Sequence, residues 1–181
     1  MDHLYEKTKQ TKNIFKGKVI QLRVDEVELP DGKSSTREII KHPGAVAVIP
    51  VTREGKLVLV RQFRKALEKV IVEIPAGKLE QDEDPLDCAK RELEEETGYK
   101  SADLHFVISF YTSPGFADEI IHLYFTDTLQ AGVVNTDEDE FLDVIEVSIE
   151  EAEKMIDDQI IHDAKTAYAV QFLKMRELIK K

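Results

Sequence analysis

A single cysteine, Cys88, and the absence of tryptophan set the first limits on this 181-residue chain. One thiol cannot close an internal disulfide, which excludes a cystine-stapled secreted domain and suits a reducing compartment. No apolar run approaches the ~20 residues that a membrane-crossing helix needs. The stretch 1–12 is polar where a signal peptide would be apolar. The expected location is therefore the cytoplasm. Cations are scarce as well: 25 Lys and Arg stand against 36 Asp and Glu, a net charge of −11. Binding to nucleic acid or to an anionic membrane needs a basic footprint, so neither is expected as a partner. The five histidines show no pair at helical ligand spacing, which argues against zinc. What remains is 42% hydrophobic and 34% charged, the balance of an ordinary globular chain.

The pattern along the chain is mostly extended. Phe15–Leu29 reads as one extended segment, Pro30-Asp31-Gly32 as a turn and Ser35–His42 as a returning strand. This front section is too small to hold a core alone. His42-Pro43-Gly44 marks the boundary between a section 1–43 and a domain 44–181. Strands are expected at Ala45–Val51, Leu57–Phe63, Val70–Ile74, Leu104–Phe110, Ile120–Phe125 and Leu142–Val147. Asp84 as N-cap, Pro85 at the first helical position and Gly98 just past the end frame one helix. Ser148 with Glu151 forms a capping box for a second. A third runs from about Asp163 onward, with Tyr168, Phe172, Met175 and Leu178 as its apolar stripe, expected in the core or at a subunit contact. Strands dominate and helices are few, so the class is α+β with a mixed sheet.

The helix after Pro85 carries the chemistry. Leu86, Ala89 and Leu93 share a face that must be buried, while Glu92, Glu95 and Glu96 bunch beside it. Glu92 and Glu96, four apart, repel each other. From these three carboxylates alone, a solvated acidic face and a cation site are equal readings. If a cation binds, all-oxygen hard ligands select Mg²⁺ or Mn²⁺. Cys88 reads as a small core residue. Gly32-Lys33-Ser34 superficially matches the end of a phosphate-binding loop, but no earlier glycine and no following helix accompany it.

The spacing Gly77, five residues, Glu83, seven residues, Arg91-Glu92-Leu93, one residue, Glu95-Glu96, one residue, Gly98 resembles the Nudix box at every fixed position. Tyr99 stands where a smaller aliphatic residue is usual. The resemblance implies an α/β/α sandwich, here preceded by an N-terminal antiparallel β section. It also implies metal-dependent hydrolysis of a nucleoside diphosphate linked to another group. By matching position, Glu92, Glu95, Glu96 and the Ala76 carbonyl would be metal ligands. Arg91 would orient the carboxylates, and Glu83 would fix the loop. Pro114, sixteen residues beyond Gly98, resembles the proline of ADP-ribose pyrophosphatases. That likeness implies Glu138 as general base and Glu140 as a further ligand, from the acidic run 137–140. It implies Arg64, Ser113, Pro114 and Gly115 as substrate contacts. Arg37 and Glu38 would reach a partner's site in a homodimer built through the N-terminal section. The expected reaction is cleavage of ADP-ribose to AMP and ribose 5-phosphate. Cleavage of another nucleotide sugar such as GDP-mannose, or an idle ADP-ribose-binding module, are the competing readings.

Overall fold

The computed structural model describes residues 2–132 and 141–180, which form two compact units: Met1–Gly44 with Phe110–Ile121, and Ala45–Ser109 with His122–Lys181.

In the first unit, β1 (Lys7–Lys16), β2 (Gln21–Glu28) and β3 (Ser34–Lys41) form an antiparallel sheet in that order. The expected single segment over Phe15–Leu29 needs correction. It is broken by a turn in which the Gly17 N–H donates to the Ile20 carbonyl at 2.9 Å, and β1 begins upstream, in the stretch read as a polar tail. Every residue of β1 is exposed, so no inside–outside alternation marks it as a strand. The Pro30-Asp31-Gly32 turn is as expected. The Gly32 N–H donates to Leu29 at 2.9 Å with φ at +82°, a conformation that favours glycine. β3 starts at Ser34 with no helix, so the phosphate-loop likeness has no structural counterpart. One polar anchor is buried in this sheet: Asp25 accepts from Thr11 Oγ1 at 2.8 Å and pairs with Arg23 Nη2 at 3.1 Å.

The second unit holds β4 (Ala45–Pro50), β5 (Leu57–Arg64), β6 (Lys69–Glu73), β7 (Ala76–Lys78), β8 (Tyr99–Lys100), the first part of β9 (His105–Tyr111) and most of β10 (Ile120–Thr126). β11 (Gln130–Ala131) and β12 (Leu142–Val147) complete its strands. Its sheets run β7-β4-β10-β9, β12-β5-β6 and β11-β8. The helices are α1 (Pro85–Thr97), α2 (Ile149–Asp157) and α3 (Ala164–Lys180). All six residues of β4 are buried, so this strand is covered on both faces. Val46, Val48 and Tyr124 cluster with Cys88, Ala89 and Leu93 of α1. Phe125, next to Tyr124 and so on the opposite face, meets Phe172 of α3 at 5.8 Å between ring centres. Helices therefore cover both sides of the sheet, the α+β layering expected.

The caps form as the sequence indicates. Asp84 accepts from the Leu86 N–H, Gly98 sits at φ 69°, and Ser148 and Glu151 close a reciprocal capping box. The face of α3 does not follow the expected stripe. Thr166, Ala169, Val170 and Leu173 are buried, whereas Met175 and Leu178 are exposed. At about 100° per residue, Met175 and Leu178 fall on the side of the helix away from that buried set. Of the expected stripe, Phe172 packs on Phe125 and Tyr168 is half-buried, whereas Met175 and Leu178 lie outside the core of the chain.

Candidate active site

Strand β7 and helix α1 bring the box residues together inside one unit. β7 pairs with β4, placing Gly77 opposite Val46 and Ala76 opposite Ala47. The Ala76 N–H donates to Glu96 Oε2 at 2.9 Å, so the last turn of α1 is tied to the strand. Glu96 is almost fully buried, and α1 has no basic residue in its last turn. Acids at a helix C-terminus oppose the macrodipole. Their grouping there breaks a local rule without a local gain, as functional sites do.

Gly77 is where the strand and helix come closest. A Cβ on it would lie 1.8–2.2 Å from the carboxylate atoms of Glu92. The space a side chain would fill is taken by that carboxylate, so any larger residue at 77 would have to displace it.

Arg91 is the hub. Its Nε and Nη2 donate to the two oxygens of Glu83 at 2.9 and 3.0 Å, a bidentate pair. Its Nη1 donates to Glu92 at 2.7 Å and to Glu95 at 2.9 Å. Three carboxylates are thus held by one guanidinium, which their proximity and hydrogen bonds keep protonated more firmly than usual. Among the described residues no group of three or more acids, histidines or cysteines is placed to hold an ion, and Glu83, Glu92 and Glu95 are each bonded to Arg91. Cys88 is fully buried, and burial first, then its hydrogen bond with Glu83, pushes its thiol up to about 12. It is a core residue, not a nucleophile. Tyr99, the departure from the box pattern, packs against the core and donates its hydroxyl to Glu146 at 2.6 Å.

The Arg91 hydrogen bonds hold Glu83 at about 2, well below the ordinary 4.5. A folded value below the unfolded one means that the pair's stabilisation is complete above 4.5 and is lost as pH falls toward 2. Glu83→Gln is therefore expected to melt below the parent at neutral pH, with the gap closing across that acid window. Thermal midpoints measured against pH check this; a gap of constant size down to pH 2 would assign the loss to something other than the ion pair.

The other expected site residues are placed as follows. Arg64 ends β5, and its Nε donates to Glu73 Oε2 at 2.5 Å. Arg61, on the same strand, pairs on the surface with Asp143 at 2.6 Å. Arg37, Glu38, Ser113, Pro114 and Gly115 belong to the first unit. There Arg37 is held by Glu6, Nε at 2.8 Å and Nη2 at 2.5 Å, while Glu38 is exposed. Ser113 accepts from the Phe116 and Ala117 N–H groups, closing a turn that leaves Pro114 and Gly115 exposed. Glu138 and Glu140 lie outside the described residues. The role of Glu73 is absent from the reading of motifs; its signal was an acid within the apolar run Val70–Ile74.

Residues 41–168 match the NUDIX domain and residues 6–40 match the nucleoside diphosphate sugar hydrolase N-terminal domain. The chain belongs to the Nudix family. Among its relatives, an ADP-ribose pyrophosphatase of Bacillus subtilis (strain 168) is 55% identical over 99% of this chain and 98% of its own length. The methanol dehydrogenase activator of Bacillus methanolicus is 56% identical over 97% of this chain and 96% of its own. A crystal structure of an ADP compounds hydrolase superposes with a TM-score of 0.83 at 20% identity, covering 97% of this chain and 94% of that one, which establishes the shared fold.

Proposed function

We propose that this Nudix protein hydrolyses the diphosphate bridge of ADP-ribose to AMP and ribose 5-phosphate, in the cytoplasm and with Mg²⁺, or Mn²⁺ in its place. The observation that carries the reading is the set of carboxylates gathered about Gly77 and Arg91, together with near full-length similarity to an ADP-ribose pyrophosphatase.

The residues suit a hard divalent ion. The donors are all oxygens, Glu96 is buried, and the missing side chain at 77 leaves room for the Glu92 carboxylate. Glu92, Glu95, Glu96, the Ala76 carbonyl and Glu140 would hold it. Once bound, such an ion offsets the charge of the diphosphate and lowers the pKa of coordinated water. Arg91 supports the carboxylates and shares its positive charge with them. By resemblance, Arg64 is assigned to grip a phosphate, and Ser113, Pro114 and Gly115 are assigned as substrate contacts. Glu138, assigned by resemblance, takes the proton of the attacking water while a P–O bond forms and the bridging P–O bond breaks. The N-terminal section makes a homodimer in this reading, with Arg37 and Glu38 reaching the partner's nucleotide.

The test is AMP release from ADP-ribose by the purified protein with Mg²⁺, set against a panel of nucleotide sugars compared by kcat/KM. A large preference for GDP-mannose would replace ADP-ribose as substrate; binding of ADP-ribose without turnover would make the chain an idle module. Equal similarity to the methanol dehydrogenase activator supports a second reading, activation of such a dehydrogenase. A methanol dehydrogenase whose rate is unchanged by this chain would dismiss it.

Glu138→Gln is expected to lower kcat by about 10²–10⁴, the usual worth of a general base, with the Mg²⁺ concentration for half-maximal rate unchanged. Steady-state rates across a Mg²⁺ titration read both; a shifted Mg²⁺ requirement would make Glu138 a ligand instead.

A further inference from the structure

From the contacts around Arg64 we infer that Glu73 is a positioning residue, which with Lys165 at the start of α3 fixes the Arg64 guanidinium for phosphate. The inference rests on the proposed role of Arg64 as the phosphate grip.

The register of β5 and β6 puts Val60 opposite Glu73 and Arg64 opposite Lys69, so Arg64 and Glu73 rise from one face of neighbouring strands. Glu73 is only 3% exposed. A carboxylate buried this far carries a heavy desolvation cost unless cations compensate it. Two do: Arg64 Nε on one oxygen, at 2.5 Å, and Lys165 Nζ on the other. Lys165 is itself nearly buried and also pairs with Asp163 at 2.9 Å. The same turn of α3 is docked to the strand by the Ile74 N–H, which donates to Thr166 Oγ1 at 3.0 Å. The chain of charges Arg64–Glu73–Lys165–Asp163 is thus anchored at a helix start.

The consequence for Arg64 lies in which nitrogen is tethered. Glu73 takes Nε, and among the described residues neither terminal nitrogen of Arg64 donates a hydrogen bond. A guanidinium held by Nε alone offers its two Nη groups as a fork for an oxyanion. Arg61 differs, since both its Nε and Nη2 are spent on Asp143. Orientation set before binding lowers the entropy lost when phosphate arrives. A buried ion chain with no ligand to serve would be poor economy for stability, because apolar residues would do as well or better.

The test is a double-mutant cycle read in two ways: Kd for inorganic pyrophosphate by calorimetry, and KM against kcat for ADP-ribose. Glu73→Gln is expected to raise both Kd and KM about tenfold, as misaiming of a gripping group does, and to have no further effect in an Arg64→Ala background. Glu73→Asp should recover part of the loss. If Glu73→Gln does not fold, Lys165→Met carries the same comparison, with a smaller weakening that again requires Arg64. Equal weakening with and without Arg64, or none in the parent, overturns the inference. Absence of ADP-ribose turnover in the parent, with the pyrophosphate cycle coupled as expected, sinks the proposed function and leaves the positioning role standing.

Discussion

Gly77→Ala is expected to cost about 10²-fold or more in kcat, the scale of a displacement of about 1 Å at a reacting site. The added methyl would sit 1.8–2.2 Å from the Glu92 carboxylate, far inside van der Waals contact. The strand has little freedom to retreat, because Gly77 is paired with Val46, which is fully buried in β4. Glu92 must therefore move, giving up its 2.7 Å hydrogen bond from Arg91. Overpacking of this kind costs roughly 1–3 kcal/mol of stability, so the protein should still fold. Thermal melting together with kcat separates the two effects. A folded Gly77→Ala protein with parental kcat would mean that hydrolysis does not need Glu92 where the structure puts it.

Glu96→Gln carries the second large effect, and with opposite signs for binding and for stability. Removal of a supporting group around a metal costs roughly 10–100-fold in affinity, and loss of a direct ligand should cost at least that. The Mg²⁺ concentration for half-maximal activity is therefore expected to rise by about 100-fold. Without metal, the same change removes a buried charge and its repulsion from Glu92, four residues away. The amide oxygen of glutamine can still accept from the Ala76 N–H that Glu96 now engages at 2.9 Å. The metal-free variant should accordingly melt at or above the parent. Unchanged Mg²⁺ dependence in Glu96→Gln would remove it from the ligand set, and a sharp fall in melting temperature would make its role structural.

These two effects concern residues of the box, whose acids on α1 the sequence brings close by itself. On α1, Glu92, Glu95 and Glu96 follow from helical periodicity, Asp84 and Gly98 from capping chemistry, and the pairing of Arg91 with Glu95 from a four-residue spacing. Helical pairing runs three or four residues away, and no basic residue stands at those spacings from Glu92. In the structure it bonds to its neighbour Arg91, whose side chain is turned by Glu83 from the preceding loop. The place of Gly77 in the box was legible; the reason for it, a carboxylate lying where a Cβ would be, was not.

Long-range pairing is what the sequence left open. β1 has no hydrophobic alternation, since all ten of its residues are exposed, and it is a strand because β2 completes its hydrogen bonds. The buried side of α3 includes the small residues Thr166 and Ala169 as well as Val170 and Leu173, which a search for large apolar residues alone passes over. Glu73 and Lys165 are 92 positions apart and carry no motif. Only the packing of α3 against β6 makes them a pair and turns a lone acid in an apolar strand into a tether for Arg64. Local spacing, set by 3.6 residues per turn and by cap geometry, was thus sufficient to mark out the carboxylate helix, while the chemistry expected of it came from the resemblance to the Nudix box. Which cations neutralise which buried acids depended on the tertiary fold, because burial makes such pairing obligatory and only the folded chain decides what lies within reach.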